Sequence, residues 1–289
     1  MSNVVPPDRY AVLGNPVAHS RSPFIHAEFA RQTGQPIRYG RVLCPMDGFE
    51  PAVRAFAASH EDGSGPARGC NVTIPFKFEA PRLALRVSAR AALAQAANTL
   101  RFDADGWSAD NTDGIGLVRD LQHGADFDIA GARVLLIGAG GAAAGVLGPL
   151  IEAGAGAVVV ANRTPERAAT LVERHRASLP RASLQATGLA DCGARFDLVI
   201  NSSASSVNGV AAPVAAAVLR AGALAVDLMY GPPAQPFIAW AQAHGARARD
   251  GLGMLVEQAA EAFWFWRGVR PQTAPVLQAL REQMTRDDA

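Results

Sequence analysis

The sequence predicts an α/β protein of two domains, one of them a doubly wound sheet suited to a nucleotide. Three observations predict it. At 289 residues, the chain exceeds the size at which a single core usually stays undivided. Short apolar runs alternate with helical patterns along most of its length, an order that pairs strands mainly in parallel. A glycine-rich turn at Gly138–Gly141 follows a buried-strand run and opens a helix, as in dinucleotide-binding sheets.

The elements follow in order. Tyr10–Leu13 reads as a strand, followed by a glycine turn and a helix from about Pro23 to Gln32. Ile37–Leu43 and Cys70–Ile74 read as further strands, with a helix near Asp47–Ala58 between them. The second series runs strand Arg133–Ile137, helix Ala142–Glu152, strand Ala157–Ala161, helix Pro165–Ala177, then strands Asp197–Ile200 and Leu224–Leu228. A last helix, Leu252–Arg267, is apolar at Leu255, Ala259, Ala262, Phe263 and Trp266. No internal repeat or low-complexity linker is present, and boundaries are expected near Asp113 and Asp250.

Bulk properties narrow the function classes. With 49% hydrophobic and 18% charged residues the chain suits a packed globule and not a disordered segment. A formal net charge of +1 gives no case for nucleic acid or an anionic membrane as partner. Cys44, Cys70 and Cys192 lie far apart without a CxxC pair, so neither a metal site nor a disulfide framework is indicated, and reduced thiols in a cytoplasmic protein are expected. Met1 to Arg9 carries two prolines and no apolar run, unlike a signal peptide. Val134 to Ile151 is uncharged and of nearly membrane-spanning length, but its glycines and β-branched opening read as strand, turn and helix.

Gly138-Ala139-Gly140-Gly141-Ala142-Ala143 fits the G-x-G-x-x-G/A fingerprint. Glycines there let the backbone turn sharply and approach a pyrophosphate at the helix N-terminus. The same run also reads as a tight turn against a packed helix. The next strand separates the readings, since its end carries Asn162-Arg163-Thr164-Pro165-Glu166-Arg167. An NAD enzyme usually places Asp or Glu here for the ribose hydroxyl, whereas a guanidinium suits a 2′-phosphate. Thr164 and Pro165 resemble an N-cap and first helical residue. Asn162, Arg163, Thr164 and Arg167 therefore favour NADP, with solvated surface charge as the competing account.

Four segments carry polar residues that packing alone explains poorly. In Ser20-Arg21-Ser22-Pro23, Ser22 is expected to cap a helix whose N-terminus, flanked by two hydroxyls, suits a carboxylate; capping alone is the plainer account. In Asn71–Lys77 a proline halts a β-rich run and leaves Lys77 at the end of a strand, where α/β ligand crevices open. Hydride addition to a ketone leaves an alkoxide, and an ammonium can protonate it. A single lysine equally reads as surface charge. Asn98-Thr99 and Asp110-Asn111-Thr112-Asp113-Gly114 complete the set; the latter reads either as a turn or as a carboxylate orienting the lysine.

Together these segments resemble the bacterial shikimate/quinate dehydrogenase family over nearly the whole chain, from Tyr10-Ala11-Val12-Leu13-Gly14-Asn15-Pro16 to Asp250-Gly251-Leu252-Gly253-Met254-Leu255-Val256. The resemblance implies an NADP-dependent oxidoreductase interconverting 3-dehydroshikimate and shikimate, on the route to chorismate and aromatic amino acids. It implies Lys77 as acid/base residue with Asp113 as its partner. Ser20 and Ser22 would hold the substrate carboxylate, Thr73, Asn98, Asp113 and Gln258 the ring hydroxyls, and Tyr230 would complete the pocket. Gly138, Ala139, Gly140, Gly141 and Ala142, with Asn162, Arg163, Thr164 and Arg167, would hold NADP, and Leu228 and Gly251 would lie near its nicotinamide. It further implies a substrate-binding domain of residues 1–113, to which 251–289 returns, and a Rossmann domain of 114–250, with substrate and cofactor meeting in a cleft that closes. A metal-free, cytoplasmic monomer or homodimer is expected, with a small-molecule substrate and no nucleic-acid or membrane partner.

Departures from the family pattern fall at Asn201-Ser202-Ser203-Ala204-Ser205-Ser206, at Ala89 and at Tyr230-Gly231-Pro232-Pro233-Ala234-Gln235-Pro236. None touches Lys77 or Asp113. Two alternatives stand beside the main reading: a quinate/shikimate dehydrogenase that uses NAD, which Arg163 opposes, and a non-catalytic NADP-binding sensor that kept the fold.

Overall fold

The computed structural model describes residues 6–61, 63–179, 183–203 and 212–287. The chain divides into two compact units, Met1–Thr112 with Val256–Ala289, and Asp113–Leu255.

The first unit is built on a six-stranded mixed sheet. Its strands are β1 (Asp8–Gly14), β2 (Ile37–Leu43), β3 (Ala67–Val72), β4 (Arg86–Val87), β5 (Thr99–Arg101) and β6 (Ser108–Asp110), in the order β2-β1-β3-β5-β6-β4. The alternating start of the chain does give parallel pairing of β1 with β2 and β3. Pairing of β5 with β3 and β6 is antiparallel, which the sequence pattern did not suggest. Helices α1 (Ser22–Thr33), α2 (Phe49–Ala58) and α3 (Ala89–Ala94) accompany it. One core gathers Leu13, Phe49, Val53, Cys70, Phe76 and Leu100.

The second unit begins with α4 (Asp113–Arg119) and carries an all-parallel sheet of β7 (Arg133–Ile137), β8 (Ala157–Ala161), β9 (Ser183–Thr187), β10 (Phe196–Asn201), β11 (Leu219–Asp227) and β12 (Arg247–Arg249). The order β12-β11-β10-β7-β8-β9 reverses at β7, the doubly wound arrangement whose switch point opens a ligand crevice at the carboxyl ends of the strands. Helices α5 (Gly141–Glu152), α6 (Pro165–Ser178) and α7 (Gln235–Ala243) connect these strands. The uncharged stretch 134–151 is thus strand, glycine turn and helix. Among the described residues no helix is long and apolar enough to cross a membrane.

The division between units falls inside α8 (Leu252–Arg267), and α9 (Ala274–Asp287) ends the described chain. Within the first unit, α8 delivers Phe263 and Trp266 to an aromatic group around His26. The His26 ring stacks on Tyr39 with centroids 4.2 Å apart and planes 7° apart, and it meets Phe29, Phe263 and Trp266 as well. Trp266 Nε1 donates to the Leu100 carbonyl at 2.9 Å, which satisfies the one polar atom of that ring.

His26 is fully buried, and among the described residues neither ring nitrogen has a hydrogen-bond partner. Burial pushes its pKa down to about 3, opposed only by nearby Asn71. A histidine whose folded pKa lies below its unfolded value stabilises the fold above pH 6.5 and loses that contribution as pH falls toward the folded value. From pH 7.5 to 5.0 the loss is about 2 kcal/mol by linkage. Urea unfolding of the native protein and of His26→Leu at both pH values checks this. The drop in stability between them is expected to be smaller in the variant by about that amount, and equal drops would show that His26 does not carry it.

Candidate active site

Lys77 is the only lysine in the sequence; every other cationic side chain among the 27 Lys and Arg residues is arginine. Its segment leaves the sheet early. Strand β3 ends at Val72, two residues before the expected Ile74, and Lys77 sits in a 3-10 turn over Phe76–Phe78. Backbone contacts hold that turn. The Thr73 N–H donates to the Leu13 carbonyl at 2.9 Å and the Ala97 N–H donates to the Lys77 carbonyl at 2.8 Å. Phe76, wholly buried, stacks on Phe49 with centroids 4.8 Å apart. Gly14 is required here because a Cβ on it would overlap the Thr73 methyl group. The backbone of the lysine turn is therefore fixed next to residue 98, with the side chain partly buried.

The Asp110–Gly114 motif is not a turn. Asp110 ends β6, and Asp113 opens α4. Its residues divide the work. Asp110 is consumed by Arg90, whose Nε and Nη2 donate to its two oxygens at 2.8 and 2.5 Å, and by the Ser88 hydroxyl at 2.5 Å. Asn111 Nδ2 donates to the Ala96 carbonyl at 2.9 Å. Gly114 lets α4 cross α5, since a Cβ there would overlap Pro149 and the Gly145 carbonyl. Asp113, 4% exposed, is the second carboxylate of the motif.

The first unit also holds a buried amide cluster. Asn98 Oδ1 accepts the Thr112 N–H at 2.8 Å, and Asn98 Nδ2 donates to Thr112 Oγ1 at 2.9 Å and to Gln258 Oε1 at 3.1 Å. Asn98 is 3% exposed, Thr112 0% and Gln258 8%. Helix α8 thus brings Gln258 to residues 160 and 146 positions earlier. Sequence reasoning named Asn98 and Gln258 but gave no role to Thr112, whose partners are visible only in three dimensions.

The serine segment departs from expectation in one respect. Helix α1 begins at Ser22 itself, preceded by Arg21 in the cap position with no side-chain cap bond. Ser20 takes the capping part instead, its Oγ accepting the Ser22 N–H at 3.3 Å and donating to Ser22 Oγ at 3.2 Å. The two hydroxyls so gathered stand at the N-terminus of a helix, where a carboxylate is favoured. Arg41 donates to the Ser20 carbonyl at 2.6 Å and steadies the loop.

In the second unit the glycine turn sits at the sheet's switch point. Gly138 has φ +110°, and a Cβ on it would come within 2.7 Å of Ser202 Oγ, so the fold itself demands glycine there. Gly140 is different. It precedes α5, is exposed, and a Cβ on it would meet nothing within 4 Å. The protein's own packing leaves that position open, the room that close approach of a pyrophosphate to the backbone needs. Gly141 and Ala142 follow as the first residues of α5 and, like Ala139, are partly exposed.

The Gly138 N–H donates to the carbonyl of Ala161, the last residue of β8, at 2.8 Å, which sets Asn162 and Arg163 beside the turn. Asn162 Nδ2 donates to the Thr164 carbonyl at 2.9 Å. Thr164 occupies the N-cap of α6 with Pro165 after it, as expected, but its side chain makes no cap bond. Arg163 and Arg167 are both exposed, available to an external anion. Sequence reasoning gave no role to Asn201 or Asp227, which are fully buried at the ends of β10 and β11 and joined by a 2.9 Å bond from Asn201 Nδ2. Asp227 also accepts the Met229 N–H at 2.8 Å, which shapes the segment containing Leu228 and partly exposed Tyr230. Gly251 packs against Leu228, where a Cβ would overlap the Leu228 carbonyl, and its N–H donates to the Met229 carbonyl at 2.8 Å. Of the departing loop, Ala204, Ser205 and Ser206 lie outside the described residues.

Comparison with known proteins shows which family the chain resembles along its length. Three family models match in order: the shikimate dehydrogenase substrate binding domain over residues 12–100, shikimate/quinate 5-dehydrogenase over 121–230, and the shikimate 5′-dehydrogenase C-terminal domain over 251–281. A shikimate dehydrogenase (NADP(+)) of Methylibium petroleiphilum is 66% identical over 276 residues, spanning 95% of this chain and 94% of its own. Among solved structures, an Ael1 enzyme from Pseudomonas putida is 41% identical with a TM-score of 0.81, covering 94% of this chain and 98% of its own. Shikimate 5-dehydrogenase of Thermus thermophilus, solved in complex with NADP(H) and shikimate, is 31% identical with a TM-score of 0.80, covering 95% and 99%.

Proposed function

The chain belongs to the shikimate dehydrogenase family, and from that premise we propose that it is an NADP-dependent oxidoreductase interconverting shikimate and 3-dehydroshikimate. One observation carries the reading of its chemistry. A sequence that uses arginine for every other cation keeps a single amine, Lys77. An arginine cannot release its proton in a protein, whereas an amine can give one up and take it back. A site that moves a proton needs the lysine.

In this reading the substrate carboxylate binds the Ser20 and Ser22 hydroxyls, at the start of α1. The ring hydroxyls meet Thr73, Asn98, Asp113 and Gln258, and Tyr230 completes the pocket. During reduction, Lys77 Nζ delivers a proton to the oxygen of the carbonyl; during oxidation, the amine removes it from the hydroxyl. Asp113 acts as its carboxylate partner. NADP, when bound, supplies the hydride acceptor and NADPH the donor. The turn Gly138–Ala142 holds the pyrophosphate against α5, and Asn162, Arg163, Thr164 and Arg167 hold the 2′-phosphate. Leu228 and Gly251 border the nicotinamide. Every assigned residue comes from one chain, so a monomer or a homodimer serves equally, in a cytoplasm that keeps the three buried thiols reduced.

The test is the rise in near-ultraviolet absorbance of reduced nicotinamide when purified protein is mixed with shikimate and either cofactor. Shikimate-dependent reduction of NADP, well ahead of NAD, is expected. Absence of reduction, or a clear preference for NAD, would overturn the assignment.

A further inference from the structure

The mechanism uses only the far end of one buried polar chain. It begins at Tyr39 on β2 and ends at Gln258 on α8. The Tyr39 hydroxyl donates to Asn71 Oδ1 at 2.6 Å. Asn71 Nδ2 donates to the Asn98 carbonyl at 3.2 Å and to Thr99 Oγ1 at 3.0 Å. Thr99 Oγ1, having accepted there, donates its own proton to Asn98 Oδ1 at 3.0 Å. Asn98 Nδ2 then donates to Gln258 Oε1 at 3.1 Å. Asn71 is 6% exposed and Thr99 fully buried.

The direction of this chain is fixed at two points by backbone groups that have only one role. The Asn98 carbonyl can only accept, so the nitrogen end of the Asn71 amide must face it. The oxygen end is thereby left to the phenol, which must donate. The Thr112 N–H can only donate, at 2.8 Å, so the oxygen end of Asn98 must face it and the nitrogen end must face Gln258. All the donors run one way, from Tyr39 to Gln258. Gln258 consequently turns its carbonyl inward, which leaves the amide nitrogen as the end opposed to the chain. The Tyr39 ring is held by the parallel stack on His26. Burial pushes its phenol well above its ordinary pKa, with the nearby Ser22 hydroxyl opposing. It therefore remains a donor throughout the working range of pH.

We infer that Tyr39 is a positioning residue: the backbone sets which way each amide faces, and Tyr39, through Asn71 and Thr99, holds the Asn98 and Gln258 amides in place toward the ring hydroxyls of the substrate. The inference rests on the shikimate assignment for the same site. Removing the phenol hydroxyl leaves Asn71 Oδ1 as a buried acceptor with its donor gone, a costly state that the amide relieves by shifting. Asn98 and Gln258 shift with it.

Tyr39→Phe, Thr99→Val and the double variant test this in the full chain, with Thr99→Ser as the conservative control. Tyr39→Phe is expected to lower kcat/KM for shikimate about tenfold, the effect of one hydrogen bond of ordinary strength, while the Kd for NADP stays within about twofold. Thr99→Val is expected to do the same and Thr99→Ser to retain most of the efficiency. In the Thr99→Val background Tyr39→Phe should add less than about twofold, because residues acting in series are not additive. Equal, multiplying losses in the two backgrounds, or unchanged kcat/KM in Tyr39→Phe, would overturn the inference. If Tyr39→Phe does not fold, the Thr99→Val and Thr99→Ser pair decides it, with equal losses counting against. Lack of shikimate-dependent reduction by the native protein would instead sink the underlying assignment.

Discussion

Replacing Lys77 with alanine is expected to lower kcat by about 10²-fold or more, the usual consequence of losing a general acid, while NADP still binds. Lys77 and the residues proposed for NADP lie in different parts of the chain, and the glycine turn and α6 do not depend on the amine. Lys77→Arg is the sharper variant. It keeps the charge and much of the length but holds its proton permanently. A site using Lys77 for electrostatics alone would tolerate arginine, as this chain does at every other cationic position. Proton transfer would not, so Lys77→Arg should be nearly as slow as Lys77→Ala. Steady-state rates with shikimate, together with NADP titration by quenching of nicotinamide or tryptophan fluorescence, check both. Turnover by either variant within about threefold of native would remove the acid/base role, since general acid catalysis contributes far more than that.

Replacing Arg163 with aspartate is expected to move the ratio of kcat/KM for NADP over NAD by about 10²-fold toward NAD. A charge-assisted bond to the 2′-phosphate contributes about 1.5–3 kcal/mol, and an aspartate both removes it and repels the phosphate. The same carboxylate can accept from the ribose hydroxyl of NAD. Position matters more than charge here. Arg163 follows Ala161 by two residues, and the Ala161 carbonyl accepts from Gly138 at 2.8 Å, so the arginine is tied to the proposed pyrophosphate turn. Arg174, on α6 beyond the first turn, provides the control, because Arg174→Asp changes the same charge without touching that turn. An unchanged ratio in Arg163→Asp would mean that the phosphate is held elsewhere, and an equal shift in Arg174→Asp would mean that general charge was responsible.

The nucleotide-binding half was the more legible part of the sequence. Arg133–Ile137 and Ala157–Ala161 are apolar, β-branched runs of buried parallel strands, and their observed limits coincide with those read from the pattern. The same holds for Leu252–Arg267, whose apolar stripe has helical spacing. Strands β5 and β6 leave no mark in the sequence pattern because Thr-Leu-Arg and Ser-Ala-Asp are too short for any period to register, and antiparallel pairing makes them strands. Strand β12, Arg-Ala-Arg at a sheet edge, is equally short, and its polar residues suit an edge.

At the proposed site, the residues given direct chemistry, Lys77, Asp113 and the glycine turn, are singled out by residue type and spacing alone. Residues that act through others are not. Tyr39 and Asn71 lie 32 positions apart, and Asn201 and Asp227 lie 26 apart; nothing in local spacing joins them. One signal stood in the sequence without need of any partner, the solitary lysine.

The placement of the unit boundary inside α8 has a consequence for biosynthesis. As the polypeptide leaves the ribosome, the segment that ends at Thr112 lacks one partner each of Asn98 and Leu100, which arrive only with Gln258 and Trp266. The parallel sheet of residues 113–255 is contiguous and has its last strand, Arg247–Arg249, before Gln258 and Trp266 are made. Because domains fold as units, the portion synthesised first is completed last. For most of translation the nascent chain therefore carries an unfinished amino-terminal half, and loss of the chain after Leu255 would strand it in that condition while leaving every residue of the later-made half present.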